Sequence, residues 1–382
     1  MHVKTAFIYS DRFSSYYYGA DHPMKPVRLR LTYELMKELG LADLPGSTVI
    51  EARKATEKEI LLFHTNEYLR VLKEANSGII PVEGSAHGLG FGDNPVFNGV
   101  YAWSCYSTGA SMQAAELVAK GDADIAFNIA GGLHHAMPGR ASGFCYVNDA
   151  AVAIKYLVSL GKRVAYVDID AHHGDGVEYA FYDTDRVLTV SIHESGQWLF
   201  PGTGLVTDTG IGDGRGYSVN MPLPPGVCDE LYMRVFDEVV PSFIRGFRPD
   251  ILVTQLGVDS FETDPITHLS LTTRSFEHMV KTLRSFGLPW VALGGGGYDL
   301  SNVARAWTLA WAIMNGVEAP NAIPGDFISR NADIFRLDFL RDRPIEPFPL
   351  SREDLDCLEK DLKYLKDQVL PLIGKDRVKE EG

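Results

Sequence analysis

The stretch RVAYVDIDAHHGDG, residues 163–176, decides the fold. Its first five residues are almost continuously apolar and β-branched. Such a run suits a strand covered on both faces of a parallel sheet. The charges that follow then fall at the strand's carboxyl end, where open α/β sheets bind their ligands. If the pleat persists to that end, Asp168, Asp170 and His172 project to one side. Three ionisable groups on one face of a buried strand are compensated there by a cation. Asp and His suit Zn²⁺ or Fe²⁺. The alternative, a solvated loop with charges by chance, sits poorly beside so apolar a lead-in.

Working outward, similar runs occur at 3–9, 124–128, 187–193, 251–256 and 290–293, and each ends near Gly, Asp or His. Helical stretches at 107–120, 150–160, 230–245 and 274–286 lie between most of them. Continuous apolar strands alternating with helices indicate an α/β domain with a mostly parallel sheet. The expected organisation is a catalytic unit over 1–320 with a C-terminal helical extension, 321–382, packed on it. In that extension Ser351 and Asp354 form a helix-start pattern. Leu355, Leu358, Leu362, Leu365 and Val369 then recur at helical spacing. The last eight residues or so are expected to fray.

Composition narrows the function. The chain has 382 residues, 45% of them hydrophobic, which is enough for a large core. Its net charge is −14 and no Lys/Arg cluster appears, so a nucleic-acid partner is not expected. No apolar run reaches membrane-spanning length. The opening MHVKTAFIYSDRF reads as a strand rather than a signal peptide. Cys105, Cys145, Cys228 and Cys357 are far apart without a CxxC pair, as in a reduced, cytoplasmic protein.

Three other strand ends carry unusual groups. Asp259 follows ILVTQLG and can supply a third ligand, as a catalytic zinc requires; as a lone residue it suits a helix N-cap equally. His134 and His135 follow a Gly-Gly turn and can move protons beside a metal, with Asp168 and Asp175 available to orient them. Tyr298 follows four glycines and can donate to an oxyanion; a plain turn is the alternative, and no Lys-Ser/Thr follows to make a phosphate loop. Gly143, Phe144 and Phe200 lie on loops able to wall a narrow pocket. Cys145 as a nucleophile with the histidines would leave the acidic cluster unexplained.

In order, YYYGADHPMKPVRLR, GDNPVF, AGGLHHA, SGFCYVND, VDIDAHHGDGVEYAFYDTDRV, FPGTG, QLGVDS and LGGGGYDLSNVARAW resemble the motifs of the zinc-dependent histone deacetylase family. The likeness runs from about Tyr16 to Trp311. It implies the arginase/deacetylase fold, a sheet of about eight strands with helices on both faces. It further implies a metal on Asp170, His172 and Asp259, and His134 and His135 backed by Asp168 and Asp175. His135 would be the general base and acid, and Tyr298 would polarise the carbonyl. Gly143, Phe144 and Phe200 would form an acyl-lysine tunnel, with Ile266 beside the metal pocket. Asp93 would hold the substrate backbone at the rim, and Arg28 would sit at the tunnel's inner end. Structural K⁺ would be held by Asp168, Asp170, His172, Ser191 and the Ile192 carbonyl. A second K⁺ would use carbonyls of Phe181, Thr184 and Val187, near Tyr217.

The basic residues that hold inositol phosphate in eukaryotic co-repressor enzymes would fall at Pro265 and Ser301. VDSFETDPITHLSLTT looks more like the bacterial acetoin-utilisation deacetylases. The implied partner is an acetylated protein, acetyl-coenzyme A synthetase among the candidates. Alternatives are an acetyl-polyamine hydrolase, for which Glu262 is near enough in sequence, a two-metal ureohydrolase, and an inactive acetyl-lysine binding module.

Overall fold

A computed structural model describes residues 3–90, 92–346 and 349–373. Eight strands form one parallel sheet: β1 Thr5–Tyr9, β2 Ser47–Glu51, β3 Ile125–Asn128, β4 Val164–Asp168, β5 Val187–Glu194, β6 Ser218–Leu223, β7 Ile251–Gln255 and β8 Trp290–Leu293. Every residue of β1, β3, β4, β5, β7 and β8 is buried. Both faces of the sheet are therefore covered, as expected for parallel strands.

The strand order is β2-β1-β3-β8-β7-β4-β5-β6. The chain builds outward to β6 and then returns to place β7 and β8 between β4 and β3. The four central strands are thus the four whose ends carry the unusual motifs. Their last residues lie in register: Asn128 opposite Leu293, Leu293 opposite Gln255, and Gln255 opposite Asp168. This crossover converts four distant sequence motifs into one site.

The six strands expected from apolar runs are present with ends shifted by at most two residues. The two not expected, β2 and β6, are the edge strands. β2 is only half-buried and polar, and β6 contains Pro222, which an edge tolerates. The helix expected from residue 107 is Val100–Lys120, starting seven residues earlier after Gly99. Aromatic and β-branched residues in VYAWSCY mask that first part.

The tail helix, Arg352–Tyr364, is capped by Ser351, whose hydroxyl accepts from Asp354 N–H. Leu358, Leu362, Leu365 and Val369 are buried. Leu355 is 40% exposed and does not belong to the packed stripe. Arg234 and Glu359 form one ion pair across to helix Asp229–Phe247, and Lys366 and Glu238 form another. The expectation for the last eight residues lies outside the described residues.

Candidate active site

Strand β4 ends at Asp168, four residues before His172, to which the pleat argument extended it. The next residues are aimed by successive turns instead. Asp170 N–H donates to Asp168 Oδ1 at 3.0 Å, and His172 N–H donates to Asp170 Oδ1 at 3.0 Å. Asp259, from the β7 end, accepts from Ala171 N–H at 2.9 Å. Candidate ligand atoms of Asp170, His172 and Asp259 thereby lie within 4.8 Å of one another, all buried. His172 Nδ1 is 3.1 Å from Asp170 Oδ1 and 2.9 Å from Asp259 Oδ2.

The donor chemistry fits a cation. Two buried carboxylates repel, and burial together with Asp170 pushes the Asp259 carboxyl up to about 6. Burial would lower the His172 imidazole, but Asp259 and Asp170 raise it well above its usual value. One imidazole and two carboxylates at this spacing are what a divalent metal needs. Among the described residues this is the one such group of three or more.

The His pair stands beside it. His134 Nδ1–H donates to Asp168 Oδ2 at 2.8 Å, and His135 Nδ1–H donates to Asp175 Oδ1 at 2.7 Å. Their Nε2 atoms are 3.0 Å apart. Burial lowers both rings. At His134 the carboxylates of Asp168 and Asp170 outweigh it and lift the pKa to about 9. At His135 the neighbouring His134 adds to burial, and the pKa falls to about 4. His134 is thus the cation and its Nε2–H donates to His135 Nε2, the neutral acceptor. A divalent cation on Asp170 would offset one of the charges raising His134, so these values belong to the metal-free protein.

The glycine loop after β8 is held on every side. Gly296 N–H donates to Asp170 Oδ2 at 2.7 Å, and its carbonyl accepts from Val258 N–H at 3.0 Å. Buried Arg28 donates to the carbonyls of Gly297 at 2.9 Å and Gly295 at 2.8 Å. Its two terminal nitrogens therefore brace the loop that carries Tyr298. Tyr298 is half-buried, edge-on to Phe144 with ring centroids 5.6 Å apart. Burial and the fields of Asp259 and Asp170 raise its phenol well above the usual value, so it is a donor throughout the neutral range.

Gly143 (φ +49°) and Phe144 (φ +68°) are both left-handed. For Phe144 that conformation costs about 1–2 kcal/mol. The strained turn brings Gly143 against both His135 and Phe200: an added Cβ would lie 2.5 and 2.7 Å from their rings. His22 stacks edge-on against Phe144 at 4.5 Å and hydrogen-bonds the backbone carbonyl of the exposed Asp93 at 3.1 Å. Ile266 is half-buried on the β7 loop. Glu262 is exposed and lines a separate surface cavity of about 830 Å³ with Asp299 and Arg305, one that does not include Tyr298 or Ile266. Cys145 is buried, its thiol donates to the Gly143 carbonyl, and burial raises its pKa well above the ordinary value. It is a poor nucleophile.

The positions expected to hold K⁺ are brought together in part. Asp168 lies opposite Ser191 in the β4–β5 register, with Ile192 next, but the Ile192 carbonyl also accepts from Tyr232 OH at 3.1 Å. Phe181, Thr184 and Val187 follow one turn, where Thr184 N–H reaches the Phe181 carbonyl at 3.3 Å. Tyr217 packs on Phe247 nearby in the chain's β5–β6 layer.

Several residues that shape the site were given no role by the sequence reading. Tyr166 donates to Asp168 at 2.7 Å. Gln255 donates to the Gly132 carbonyl at 2.8 Å and to Asp170 at 3.2 Å. Asp149 accepts from Gly132 N–H at 3.1 Å and Leu133 N–H at 2.8 Å, fixing the turn before the histidines. Asn148-Asp149 at a helix start was the one local clue. Asp264 accepts from Tyr298 N–H at 2.8 Å and Ile266 N–H at 3.1 Å.

A parallel sheet that gathers a histidine pair and a phenol around a buried candidate metal-ligand cluster defines, as a class, an α/β enzyme with its site at the carboxyl ends of its strands. Comparison with known proteins makes the class specific: the chain belongs to the histone deacetylase family, whose domain model matches residues 22–314. It is 40% identical over 332 residues to the acetoin utilization protein AcuC of Bacillus subtilis (strain 168), covering 85% of each chain. It is 42% identical over 324 residues to Homo sapiens histone deacetylase 1, covering 84% of this chain and 66% of that protein. A crystal structure of an HDAC homolog complexed with SAHA superposes with a TM-score of 0.85 at 35% identity, covering 95% of this chain and 100% of that one. No helix among the described residues is long and apolar enough to cross a membrane.

Proposed function

We propose that this protein removes the acetyl group from N-ε-acetyl-lysine of a protein substrate. The observation that carries the reading is the placement of His135, held by Asp175, and the half-buried Tyr298 phenol around the Asp170–His172–Asp259 cluster. A divalent metal on that cluster, Zn²⁺ or alternatively Fe²⁺, would acidify water and polarise the amide carbonyl. His135 Nε2 takes a proton from the attacking water, with its ring fixed by Asp175. As the water oxygen bonds to the carbonyl carbon, Tyr298 donates its hydroxyl hydrogen bond to the developing oxyanion. The protonated histidine returns the proton to the lysine nitrogen as the C–N bond breaks, giving acetate and a free amine. His134, hydrogen-bonded to Asp168, acts electrostatically.

In the same proposal Gly143, Phe144 and Phe200 grip the lysine stem, Ile266 lines the pocket and Asp93 holds the substrate backbone. Arg28 stands behind the loop at the tunnel's inner end. K⁺ would brace the strand ends at Asp168, Ser191 and Ile192, and again at Phe181, Thr184 and Val187. Residues 1–320 are the catalytic unit and 321–382 a buttress, a division supported by the buried stripe from Leu358 to Val369. Acetyl-coenzyme A synthetase is a candidate substrate because of the likeness to AcuC. The acetyl-polyamine reading is disfavoured by Glu262, which faces a different cavity.

The test is single-turnover hydrolysis of acetyl-lysine peptides and acetyl-polyamines by the metal-reconstituted protein, its His135→Ala variant and its Tyr298→Phe variant. Losses of about 10²–10³-fold are expected from the donor or proton carrier removed. Near-normal rates in either variant refute the roles assigned, and faster turnover of the polyamines refutes the substrate.

A further inference from the structure

Tyr298 follows a glycine hinge. Gly295 and Gly297 hold φ +132° and +135°, conformations open to glycine alone. The hinge sets the direction of a side chain whose reactive oxygen lies at its far end, so a small backbone rotation is amplified at the phenol. The loop before Tyr298 is braced by Arg28, Asp170 and Val258 through Gly295, Gly296 and Gly297. At Tyr298 itself the backbone N–H has one partner, the Oδ2 of Asp264, 34 residues away in sequence.

Asp264 is 6% exposed. Its other oxygen accepts from Ile266 N–H two residues on, which is an ordinary Asx turn around Pro265. A local turn accounts for one oxygen and leaves the second unexplained. The neighbouring residues repeat the connection: Thr263 OH donates to Asp299 at 2.9 Å, and Asn302 donates to Thr263 at 2.8 Å. The 263–264 segment and the 298–299 segment are therefore fastened side by side, with Asp264 at the end nearer the chemistry.

We infer that Asp264 is a positioning residue for the reaction: its carboxylate fixes the backbone of Tyr298, and so the phenol, while the same group sets Ile266 in the pocket wall. The inference rests on the deacetylase reading for the role of Tyr298. Only a carboxylate serves both backbone donors. An asparagine can keep the Asx turn with its oxygen, but it then presents an NH₂ donor to the Tyr298 N–H. Asp264→Asn therefore separates the local turn from the clamp, whereas Asp264→Ala removes both.

Asp264→Asn, Asp264→Ala, Tyr298→Phe and the Asp264→Asn/Tyr298→Phe double variant are compared with wild type on an acetyl-lysine peptide, with thermal melts and metal content as controls. A displacement near 1 Å of a reacting group costs about 10²-fold. The expected result is a 10- to 100-fold fall in kcat for Asp264→Asn, KM and metal content little changed, and a double variant no slower than Tyr298→Phe alone. A role in general stability would instead multiply the two losses, and that outcome overturns the inference, as does a wild-type rate for Asp264→Asn. Hydrogen–deuterium exchange over residues 294–299 of the metal-free protein supplies a readout independent of turnover. Protection at Tyr298 is expected to fall in Asp264→Asn, and unchanged protection overturns the clamp even if wild type proves silent on acyl-lysine. That silence, with Tyr298→Phe no slower, would count against the deacetylase reading alone.

Discussion

Gly296→Ala is the sharpest test of the metal site. A Cβ built there lies 2.0 Å from Asp259 Oδ2 and 2.8 Å from Asp170 Oδ2. Relief to an ordinary contact of 3.4 Å requires a shift of about 1.4 Å. The backbone cannot supply it without breaking the Gly296 hydrogen bonds to Asp170 and Val258. Gly296 is not left-handed, so no strain from the new side chain confuses the outcome. The carboxylate of Asp259 must therefore move. A metal–ligand distance tolerates only about ±0.2 Å, so the third ligand is lost. Even indirect damage to metal ligands typically costs about 10–100-fold in metal affinity or activity. The expected result is one transition metal per wild-type chain after dialysis and far less than one in Gly296→Ala, measured by elemental analysis, with hydrolysis falling below about a hundredth. Gly325→Ala, where a Cβ meets nothing within 4 Å, is the control. A Gly296→Ala protein that keeps stoichiometric metal and full turnover would show that Asp259 is not a ligand in this arrangement.

Gly143→Ala should leave metal content unchanged, because its Cβ would press on His135 and Phe200 rather than on the ligands. A fall of about 10²-fold in kcat/KM is expected from displacing the proton carrier, and a loss of about 1–2 kcal/mol of stability from a left-handed alanine; normal turnover would refute the wall assignment. The chelated protein should be most stable near pH 6.5. His134, raised to about 9 by the carboxylates of Asp168 and Asp170 against burial, keeps a proton in the folded state that the unfolded chain releases. Its contribution is present below the unfolded histidine pKa and is lost as pH rises toward 9, by up to about 1.4 kcal/mol per pH unit. His135 and His64, lowered to about 4, stay neutral while the unfolded chain takes up protons, so stability also falls as pH drops below the usual histidine value. Denaturation midpoints from pH 5 to 9 check this; a midpoint that rises from pH 6.5 to 9 in chelator refutes the signs.

Legibility followed the range of the interactions. The central strands were readable because burial on both faces demands unbroken apolar runs, as in Val164–Asp168, and the chemistry was readable because ionisable groups at the ends of such runs are costly. The edge strands Ser47–Glu51 and Ser218–Leu223 had neither signal, since one side of an edge is free to be polar or to hold Pro222. Asp170 and His172 converge for a reason the pleat argument missed: they are aimed by side-chain turns after the strand has ended.

The residues that stayed hidden share one property. Tyr166, Gln255, Asp149 and Asp264 act on the site through hydrogen bonds to another side chain or backbone, and any buried polar residue in a loop or strand has that capacity. What selects them is the sheet order. Because β8 and β7 return to lie between β3 and β4, the turn after β3, the loop after β7 and the glycine run after β8 become neighbours only once the last strand is in place. The His134–His135 pair is attached to the first half of this arrangement, through Asp168 and Asp175. The phenol is attached to the second half, through Asp264. Asp170 touches both, by its distance of 3.9 Å to His134 Nε2 and its bond from Gly296 N–H. Under the proposed mechanism a metal joining Asp170 to Asp259 would also fix His135 relative to Tyr298, so metal loading should order the site as well as activate its water.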